Sequence, residues 1–377
     1  MPTVLIIGSG LFGAAVAERC AANYGCRVIV LEKRDHVGGN SYSSPCPQTG
    51  IEVHRYGSHI FHTHLPAVWN YVNRFTAFND YRHTVWIRLR DKVLPMPVNL
   101  ATINAFLGSA LGPAGAREWL EREIAATGIT TPRNLEEKAL SLIGRPLYDA
   151  LIRGYTLKQW GADPADLPAD IITRLPVRLN YNLRYYDDPL QGIPVDGYGR
   201  LIARMLDHPA IEVRLKTDYF RIRHDLPPHD RLVFTGPIDR FFDCAHGPLG
   251  WRSVRFDRRV MEVDDFQGTA VMNMADPEVP CTRVHEYKHY TPEKAFPNRT
   301  VVDHEFAGAI GPDEEPFYPG RTPADLRRLD QYQADAERLA PRVLFGGRLG
   351  SYRYFDMDDA LAEALAAADR LGQTFTA

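Results

Sequence analysis

A glycine-rich turn near the start of the chain constrains the fold more than any other feature. The apolar, β-branched run Thr3–Ile7 predicts a buried strand, which leads into Gly8-Ser9-Gly10-Leu11-Phe12-Gly13 and a helical pattern from Ala14 to Asn23. A second buried strand is predicted at Arg27–Leu31. A strand, turn, helix and strand within about thirty residues are typical of a doubly wound parallel sheet with a right-handed crossover. The sequence therefore predicts an α/β fold with a Rossmann-like domain.

Polar groups and further glycines near this turn predict a dinucleotide site. The three glycines of the turn permit a tight bend, close approach of the backbone to a pyrophosphate and close helix packing. Glu32 follows the second strand, nineteen residues after Gly13, and can accept hydrogen bonds from a ribose diol. A second approach of the backbone is offered by Gly38-Gly39-Asn40, a feature common in FAD-binding chains and unusual in simple NAD-binding ones. FAD is therefore expected in preference to NAD.

A second glycine-rich element lies far along the chain. Phe345-Gly346-Gly347-Arg348-Leu349-Gly350 comes shortly before a helix start at Asp356-Met357. A helix N-terminus at this point can direct its dipole toward the pyrimidine ring of a flavin and favour the anionic reduced form. The alternative is a plain helix entry loop in which Arg348 is a surface arginine. The sequence leaves both interpretations open.

Length, charge and cysteine content limit the possible classes of protein. A chain of 377 residues exceeds what one hydrophobic core usually serves, so two or three domains are expected. The net charge of -3, with mixed signs, offers no basic field for nucleic acid or an anionic membrane. The five cysteines are scattered and predict reduced thiols. No secretory leader and no long apolar segment are recognised, so we expect a cytoplasmic protein without nucleic-acid or membrane partners.

The middle of the chain predicts an inserted helical domain followed by a binding loop. Helical segments are predicted at Ala114–Thr127, Leu135–Ile143 and Pro146–Tyr155, with Thr131-Pro132 as the N-terminal cap of the second. The following stretch, 171–194, is aromatic, basic and broken by prolines, so it is poorly suited to a long helix or a central strand.

The later part of the chain predicts a second, mostly antiparallel sheet that carries the substrate. Strand-like runs occur at Ile211–Leu215, Arg231–Thr235, Gly268–Met274 and Thr300–Phe306. Thr322-Pro323-Ala324-Asp325 predicts a helix start, and Met357–Gly372 predicts an alanine-rich helix.

Three domains are predicted from this organisation. Residues 1–80, 195–245 and 320–377 form a discontinuous FAD-binding domain. Residues 99–170 form the helical domain, with a mobile substrate loop at 171–190. Residues 81–98 and 246–319 form the antiparallel substrate domain.

Blocks along essentially the whole chain closely resemble bacterial UDP-galactopyranose mutases, and the later blocks are not shared with flavin oxidases in general. These blocks are residues 6–14, 32–40, 56–63, 153–161, 172–178, 191–194, 235–239, 280–283, 316–319 and 346–354. The resemblance implies an FAD-dependent isomerase that interconverts UDP-galactopyranose and UDP-galactofuranose without net oxidation. It also implies that the flavin is active when reduced by a cellular donor, that it forms an N5–galactose adduct, that the product supplies galactofuranose for cell-surface glycans, and that the protein is a homodimer.

Two arginines are the predicted anchors of the substrate diphosphate. A chain without a bulk basic field must hold an anion locally, and guanidinium groups form charge-assisted, bidentate bonds to phosphate. Arg174 and Arg283 are the candidates, although an arbitrary arginine is usually solvated and paired with nearby acids. The resemblance places Arg174 on a mobile loop that closes over substrate, and it makes Arg174, Arg283 and His59 the predicted catalytic residues.

The resemblance also assigns aromatic, histidine and amide side chains around the substrate. Tyr155 and Trp160 are expected beside the uridine, where flat rings can stack on a base, although core packing is the ordinary explanation for such rings. The other predicted substrate residues are His83, Thr156, Tyr185, Asn273, Tyr318 and Tyr352, with the last two tyrosines and Tyr185 near the diphosphate and with His83 and Asn273 near the galactose.

The predicted cofactor residues extend from the glycine turn to the last helix. His59 and His62 taken alone would suggest metal ligands or core histidines, but no third ligand cluster accompanies them, so no metal is predicted. By resemblance they lie against the isoalloxazine. The full predicted set is Gly8, Gly10, Leu11, Phe12, Gly13, Glu32, Lys33, Gly39, Asn40, His59, Ile60, His62, Thr235, Gly236, Gly347, Arg348, Tyr354, Asp356 and Met357.

Two departures and two rival functions accompany this interpretation. Ser58 stands where alanine is frequent in relatives, and Leu151-Ile152 stands where some relatives have paired phenylalanines, which leaves the wall of the uridine pocket in doubt.

A flavin amine oxidase shares the N-terminal fingerprint but needs an apolar or amine-binding cage. A flavoprotein that senses sugar nucleotide is the other alternative. Oxygen consumption would identify the oxidase, and tight UDP binding without isomerisation would identify the sensor.

Overall fold

The computed structural model describes residues 1–172, 176–311 and 314–376. The strands, in chain order, are β1 Thr3–Ile7, β2 Arg27–Leu31, β3 Ser43–Pro45, β4 Glu52–His54, β5 Phe61–Thr63, β6 Val85–Leu89, β7 Lys92–Met96, β8 Leu190–Gly192, β9 Ile211–Arg214, β10 Arg231–Phe234, β11 Trp251–Met261, β12 Val271–Met274, β13 Arg283–Glu286, β14 Thr300–Ala309, β15 Tyr318–Pro319 and β16 Val343–Phe345. The α-helices are α1 Leu11–Tyr24, α2 Pro66–Val72, α3 Leu100–Leu107, α4 Pro113–Ala125, α5 Leu135–Leu147, α6 Gly154–Trp160, α7 Tyr198–Met205, α8 Tyr219–Ile222, α9 Ile238–Phe241, α10 Pro323–Leu339, α11 Gly347–Gly350 and α12 Met357–Thr376.

A five-stranded parallel sheet forms the first layer of the fold. Its strand order is β16-β10-β1-β2-β9, and every adjacent pair is parallel. Alternate residues of the apolar strands face opposite sides, so Val4 and Val28 pack toward α1 and α12. Small residues of α1 let α12 approach it, and Gly13 is required because a Cβ there would lie 2.1 Å from the Gly8 carbonyl oxygen. The predicted Rossmann-like arrangement is confirmed.

A seven-stranded sheet forms the second layer. Its order is β15-β11-β14-β13-β12-β6-β7, and it is antiparallel except between β12 and β6. Two of the strands expected here, Ile211–Arg214 and Arg231–Phe234, instead join the parallel sheet. That part of the prediction was wrong, because local composition identifies a strand but carries no information on its partner.

The helical region, which packs on the seven-stranded sheet, differs from the prediction at the start of one helix and the end of another. Asn134, not Thr131, caps α5, and its side chain accepts a hydrogen bond from the Glu137 amide at 2.9 Å. The chain then bends at Gly144, which has φ 70°, and continues through a π-helical segment, Tyr148–Arg153, into α6. The non-helical backbone at Gly144 separates two helices, so the predicted break after Ile143 and helix start near Pro146 are confirmed, although the second helix continues past Tyr155 to Trp160. The π-helical segment turns Leu151 and Ile152 toward a cavity that the seven-stranded sheet also lines.

The helices near the C-terminus begin where the sequence predicts. Thr322 caps α10 by a reciprocal capping box with Asp325, with proline at the next position. The alanine-rich α12 extends to Thr376, a few residues beyond the predicted end. None of the described helices is long and apolar enough to span a bilayer.

A charged cluster beside β13 predicts a pH-dependent stability. Nε2 of His289 lies 3.4 Å from Glu286 and 3.3 Å from Asp265, and buried Glu286 also accepts bonds from the Gln267 amide and the Thr300 hydroxyl. Burial alone would lower the pKa of His289, but the adjacent carboxylates of Glu286 and Asp265 outweigh burial and raise it above 6.5. Burial would raise the pKa of Glu286, but the adjacent His289 and the hydrogen bond from the Thr300 hydroxyl lower it to about 2.

The sign of the effect follows from these two shifts. A histidine with a raised pKa stabilises the fold below its unfolded pKa, and this contribution is lost as pH rises through the folded value. We expect the free energy of unfolding to fall by about 1 kcal/mol more between pH 6 and pH 9 in the wild type than in His289→Gln. Urea denaturation at both pH values measures this difference. Equal losses in the two proteins would contradict the assignment.

Candidate active site

The first cavity, here called the dinucleotide cavity, follows the carboxyl ends of β1, β2 and β10. The N-cap of α1 is Gly10, which provides no side-chain acceptor for the amides of the first helical turn. A helix N-terminus of this kind is suited to a phosphate. The predicted cofactor residues that line this cavity are Gly8, Gly10, Leu11, Phe12, Gly13, Glu32, Lys33, Gly39, Asn40, His59, Thr235, Gly236, Gly347, Arg348, Asp356 and Met357.

Close packing around the glycine turn leaves room for a ligand at one position. A Cβ on Gly8 would lie 2.2 Å from Thr235 Oγ1, and a Cβ on Gly346 would lie 2.1 Å from the Phe12 ring. A Cβ on Gly10, by contrast, meets nothing closer than the Gly39 Cα at 4.0 Å. The backbone at Gly10 thus faces open space, whereas a Cβ on Gly39 would lie 3.1 Å from the Gly10 Cα, and the two glycines form a cradle between the two glycine-rich turns.

Glu32 fixes the turn from the end of β2. Its carboxylate accepts hydrogen bonds from the Ser9 amide at 2.9 Å, the Ser9 hydroxyl at 2.7 Å and the Arg34 amide at 2.9 Å. Lys33 pairs with Glu315 at 2.7 Å on the rim of the cavity. The buried Glu32 carboxylate therefore holds the turn and also faces the space where a ribose diol would lie.

A second cavity, here called the central cavity, lies between the seven-stranded sheet and the helical region. Its floor is formed by Ile87, Asn273, Arg283 and Glu305 on four neighbouring strands. Asn40, His59, Arg348, Asp356 and Met357 line both cavities. The two cavities therefore meet at His59 and Arg348.

Arg283 is the strongest candidate anion ligand in the central cavity. The guanidinium donates to the Tyr155 hydroxyl, and its Nε lies 3.4 Å from Glu305 without a hydrogen-bond partner in the described structure. Burial alone would lower the pKa of Arg283, but Glu305 and nearby tyrosines raise it. The group is thus always charged, and it keeps donor capacity for a phosphate.

Lys158 on α6 fixes the loop that carries Arg283. Its ammonium donates to the carbonyl groups of Met274, Asp276, Val279 and Cys281 at 2.7 to 3.2 Å. A Cβ on Gly154 would lie 2.5 Å from the Ala275 carbonyl oxygen, so α6 packs directly on the same loop. Tyr155 and Arg283 are thereby held at a constant separation.

Two histidines occupy different places in the central cavity. His59 borders both cavities, and its Nδ1 lies 2.7 Å from the Gly57 carbonyl oxygen. Burial, reinforced by Arg348, lowers the pKa of His59 to about 4, so the ring is neutral at pH 7. His62 lies farther in, 2.6 Å from Asp188, and stacks on Tyr186 with ring centroids 3.6 Å apart.

Arg348 is not a surface arginine. Its guanidinium donates to the Phe355 carbonyl at 2.6 Å and lies over the rings of Tyr318 and Tyr354. Those two rings stack with centroids 5.7 Å apart. Arg348 therefore joins the approach to α12 with the wall of the central cavity.

The comparisons with known proteins identify the family. Residues 150–354 match a family model described as UDP-galactopyranose mutase, and residues 6–75 match one described as an NAD(P)-binding Rossmann-like domain. A probable UDP-galactopyranose mutase from Klebsiella pneumoniae is 39% identical, with 97% of this chain and 94% of the relative covered. This chain belongs to the UDP-galactopyranose mutase family. The predicted family and the predicted isomerase class are confirmed.

Other similar proteins extend the comparison. A dTDP-fucopyranose mutase from Escherichia coli is 38% identical, with 98% of each chain covered. The crystal structure of a reduced UDP-galactopyranose mutase has a TM-score of 0.75 at 15% identity, covering 99% of this chain and 96% of that one. A putative protoporphyrinogen oxidase from Exiguobacterium has a TM-score of 0.68 at 12% identity, covering 99% of each chain. At these identities the two solved structures show the fold alone.

Within this mutase family member, most predicted substrate residues face the central cavity. His83, Tyr155, Tyr185, Asn273, Arg283 and Tyr318 line it, as do the predicted cofactor residues Ile60, His62 and Tyr354. Arg174 lies outside the described residues, so its role stays a prediction.

Three predicted substrate residues are not in the cavity wall. The prediction for Tyr352 was wrong, because its ring is fully buried against Trp251 and its hydroxyl donates to the Gly250 carbonyl at 2.5 Å. Thr156 is buried within α6 and does not reach the cavity lining. Trp160, at the end of α6, lies behind Tyr318 with ring centroids 6.3 Å apart.

The structure also brings unpredicted polar residues into the cavity wall. Ser58, Tyr186, Asp188 and Glu305 all line the central cavity. One signal was available for Glu305, since a carboxylate amid the apolar strand-like run of β14 is unusual in a buried strand and needs a partner. Asp188 and Tyr186 lie in an irregular segment, where the spacing of residues does not predict which way a side chain points.

Proposed function

We propose that this protein interconverts UDP-galactopyranose and UDP-galactofuranose, using reduced FAD held in the dinucleotide cavity. The observation that carries the proposal is the junction of the two cavities at His59 and Arg348, with Arg283 facing the central one. A dinucleotide lying along the first cavity can present its reactive ring to a sugar nucleotide in the second. Family membership supports the same reaction.

The residues present fit FAD. The cradle at Gly10 and Gly39 accommodates a pyrophosphate, the N-terminus of α1 supplies amide donors, and Glu32 faces the ribose position. The extension of the cavity past Gly347 to the N-terminus of α12 gives space for a ring system beyond the pyrophosphate. A bound reduced flavin would supply nucleophilic chemistry at its N5 toward the anomeric carbon of the sugar.

The protein side chains would bind and orient the sugar nucleotide. Arg283 would hold the diphosphate while it leaves and returns, and Arg174 would complete this clamp from the loop. The neutral ring of His59 would face the reacting sugar without a competing positive charge. Tyr155 and Tyr318 would shield the sugar from water, which is required because a released sugar would hydrolyse.

The wider cellular setting belongs to the same proposal. We infer that the enzyme acts in the cytoplasm as a homodimer, that a cellular donor reduces the flavin, and that the product supplies galactofuranose for cell-surface glycans. The three domains predicted from the sequence are proposed as the structural units of the enzyme.

A second candidate substrate is dTDP-fucopyranose. The relative with this activity in its name is 38% identical over 98% of this chain, nearly the same identity as the probable UDP-galactopyranose mutase. The aliphatic wall formed by Met96, Leu151 and Ile152 could also contact the additional methyl group of thymine. The reaction type is the same for both substrates, so their relative kcat/KM distinguishes them.

The decisive experiment is chromatography of UDP-galactofuranose after incubation with the FAD-loaded protein, once reduced with dithionite and once oxidised. Conversion to UDP-galactopyranose in the reduced sample alone is expected. A parallel reaction with dTDP-fucofuranose measures its kcat/KM relative to that of UDP-galactofuranose. If the kcat/KM of dTDP-fucofuranose is more than about tenfold higher, dTDP-fucose replaces UDP-galactose as the proposed substrate. No conversion of either substrate, with FAD and UDP bound, would support a sensor, and oxygen uptake with amines would support an oxidase.

A further inference from the structure

Ser58, His285 and Glu305 form a continuous hydrogen-bonded chain in the wall of the central cavity. Ser58 Oγ lies 2.5 Å from His285 Nδ1, and His285 Nε2 lies 2.7 Å from Glu305 Oε2. The Tyr290 hydroxyl donates to Ser58 Oγ. His285 is fully buried, whereas Ser58 and Glu305 line the cavity.

The donor and acceptor roles in this chain follow from the chemistry of its members. An ionised carboxylate only accepts, so the Nε2 of a neutral His285 carries the proton given to Glu305, and Nδ1 accepts from the Ser58 hydroxyl. If His285 takes up a second proton, Nδ1 becomes a donor to Ser58, and the Ser58 hydroxyl is released toward the cavity. The chain therefore has two complete hydrogen-bonded states that differ by one proton.

The position of Glu305 supports the protonated state. Its carboxylate is fixed by Arg283 at 3.4 Å and by the Thr282 hydroxyl at 3.3 Å, in addition to His285. Burial alone would raise the pKa of Glu305, but Arg283 and His285 lower it. A permanently charged carboxylate stabilises an imidazolium beside it, as in the serine hydrolase triad.

We propose that Ser58, which stands where alanine is frequent in relatives, gives this chain a proton route of its own: Ser58 is a catalytic acid and base that exchanges a proton with the sugar, and His285 and Glu305 act through it. This proposal rests on the proposed function. Opening one sugar ring and closing the other requires one proton to be added to the released ring oxygen and one to be removed from the hydroxyl that closes the new ring. The imidazolium of His285 gives its proton through Ser58 to the first oxygen. The neutral ring then takes a proton back through Ser58 from the second, so the proton balance is zero.

Ordinary packing accounts poorly for this arrangement. A buried strand position such as 285 is usually apolar, and a fully buried imidazole costs free energy unless both nitrogens are bonded. The other titratable or charged groups around His285 come from several elements: Arg283 and Tyr287, two residues before and after it, Asp303 and His304 on β14, His54 on β4, His59, His83 and Tyr290. Ser58 and Glu305 bond to His285 in the described structure, and both line the cavity. Ser58 is the hydroxyl of the pair, and Glu305 is the carboxylate.

The test compares Ser58→Ala, His285→Gln and the double variant with the wild type, all loaded with reduced FAD. Each single change is expected to lower kcat about 10²-fold, the lower end of the range for general acid–base catalysis, with KM and UDP affinity unchanged within about threefold. Because the residues act as a unit, the double variant should be no slower than the slower single variant. The solvent deuterium isotope effect on kcat should change in both single variants, and Ser58→Thr should restore most of the rate.

One control variant and one NMR measurement keep the outcomes distinct. Ser253→Ala removes a buried serine hydroxyl on β11, away from the central cavity, and should leave kcat unchanged. A low-field proton resonance from the His285 ring should shift in Ser58→Ala even without substrate. If the wild type converts the sugar nucleotide and the kcat of Ser58→Ala is within about twofold of the wild-type kcat, the relay is overturned. The proposed function would still stand. Failure of the wild type to convert any sugar nucleotide would overturn both.

Discussion

Replacing Arg283 by alanine is expected to abolish practical turnover while FAD stays bound. The guanidinium is half-buried in the wall of the central cavity, where it pairs with Glu305 and donates to the Tyr155 hydroxyl, so it is placed to hold a phosphate. Truncating one member of a buried charged pair costs about 2–5 kcal/mol. This corresponds to a loss of about 30- to 4,000-fold in kcat/KM, with a similar loss of UDP affinity measured by calorimetry.

The control variants separate charge from structure. Arg283→Lys keeps the charge but loses the planar fork, and we expect it to recover part of the UDP affinity. Arg255→Ala removes an exposed arginine from β11 of the same sheet and should leave both measurements unchanged. The melting temperature of Arg283→Ala should fall, because Glu305 loses its charged neighbour. A near-normal turnover rate in Arg283→Ala would rule out the phosphate role.

The dinucleotide cavity was the most predictable part of the molecule because its determinants are local. The turn from Gly8 to Gly13, the acid at Glu32 and the second turn at Gly38-Gly39 lie within one short segment, and their spacing fixes their geometry. The structure adds what spacing cannot supply. Thr235 lies against Gly8 and Phe12 lies beneath Gly346, contacts between segments more than two hundred residues apart that depend on the order of strands in the sheet.

The central cavity was less predictable because its wall is assembled from distant segments. Ser58 and His285 are 227 residues apart, and His62 and Asp188 are 126 residues apart, so no local pattern links either pair. Tyr352 shows the opposite error. Its aromatic type and position in a family block suggested a ligand contact, but the backbone at φ 50° and a hydroxyl bonded to the main chain direct it into the core.

Assigning the wall residues requires the register between strands. Asn273 pairs with Arg283 across β12 and β13, and Arg283 pairs with Glu305 across β13 and β14, which puts all three on one face of the sheet. A shift of one residue in either pairing would move Arg283 away from its partners. Lys158 binds four carbonyl groups in the connection between β12 and β13 and so fixes this loop. No sequence pattern predicts this contact.

Gly10→Ala is expected to prevent FAD binding without disturbing the fold. Gly10 has φ −64° and ψ 175°, which alanine adopts without strain, and the new Cβ would meet protein atoms only at 4.0 Å. The methyl group would instead occupy the cradle where the backbone approaches the pyrophosphate. We expect the FAD affinity to fall at least about tenfold, or about 1.4 kcal/mol, while the circular dichroism spectrum and the melting temperature of the FAD-free protein stay unchanged.

Two other glycines provide the matched comparison. Gly112→Ala, at the N-cap of α4, adds a methyl group into open space and should keep normal FAD affinity. Gly13→Ala would place its Cβ 2.1 Å from the Gly8 carbonyl oxygen, so it should destabilise the FAD-free protein itself. If Gly10→Ala bound FAD normally, the pyrophosphate could not lie in this cradle. If it instead lowered stability as much as Gly13→Ala, the loss of FAD would reflect packing, because the ligand-free fold would no longer tolerate the methyl group.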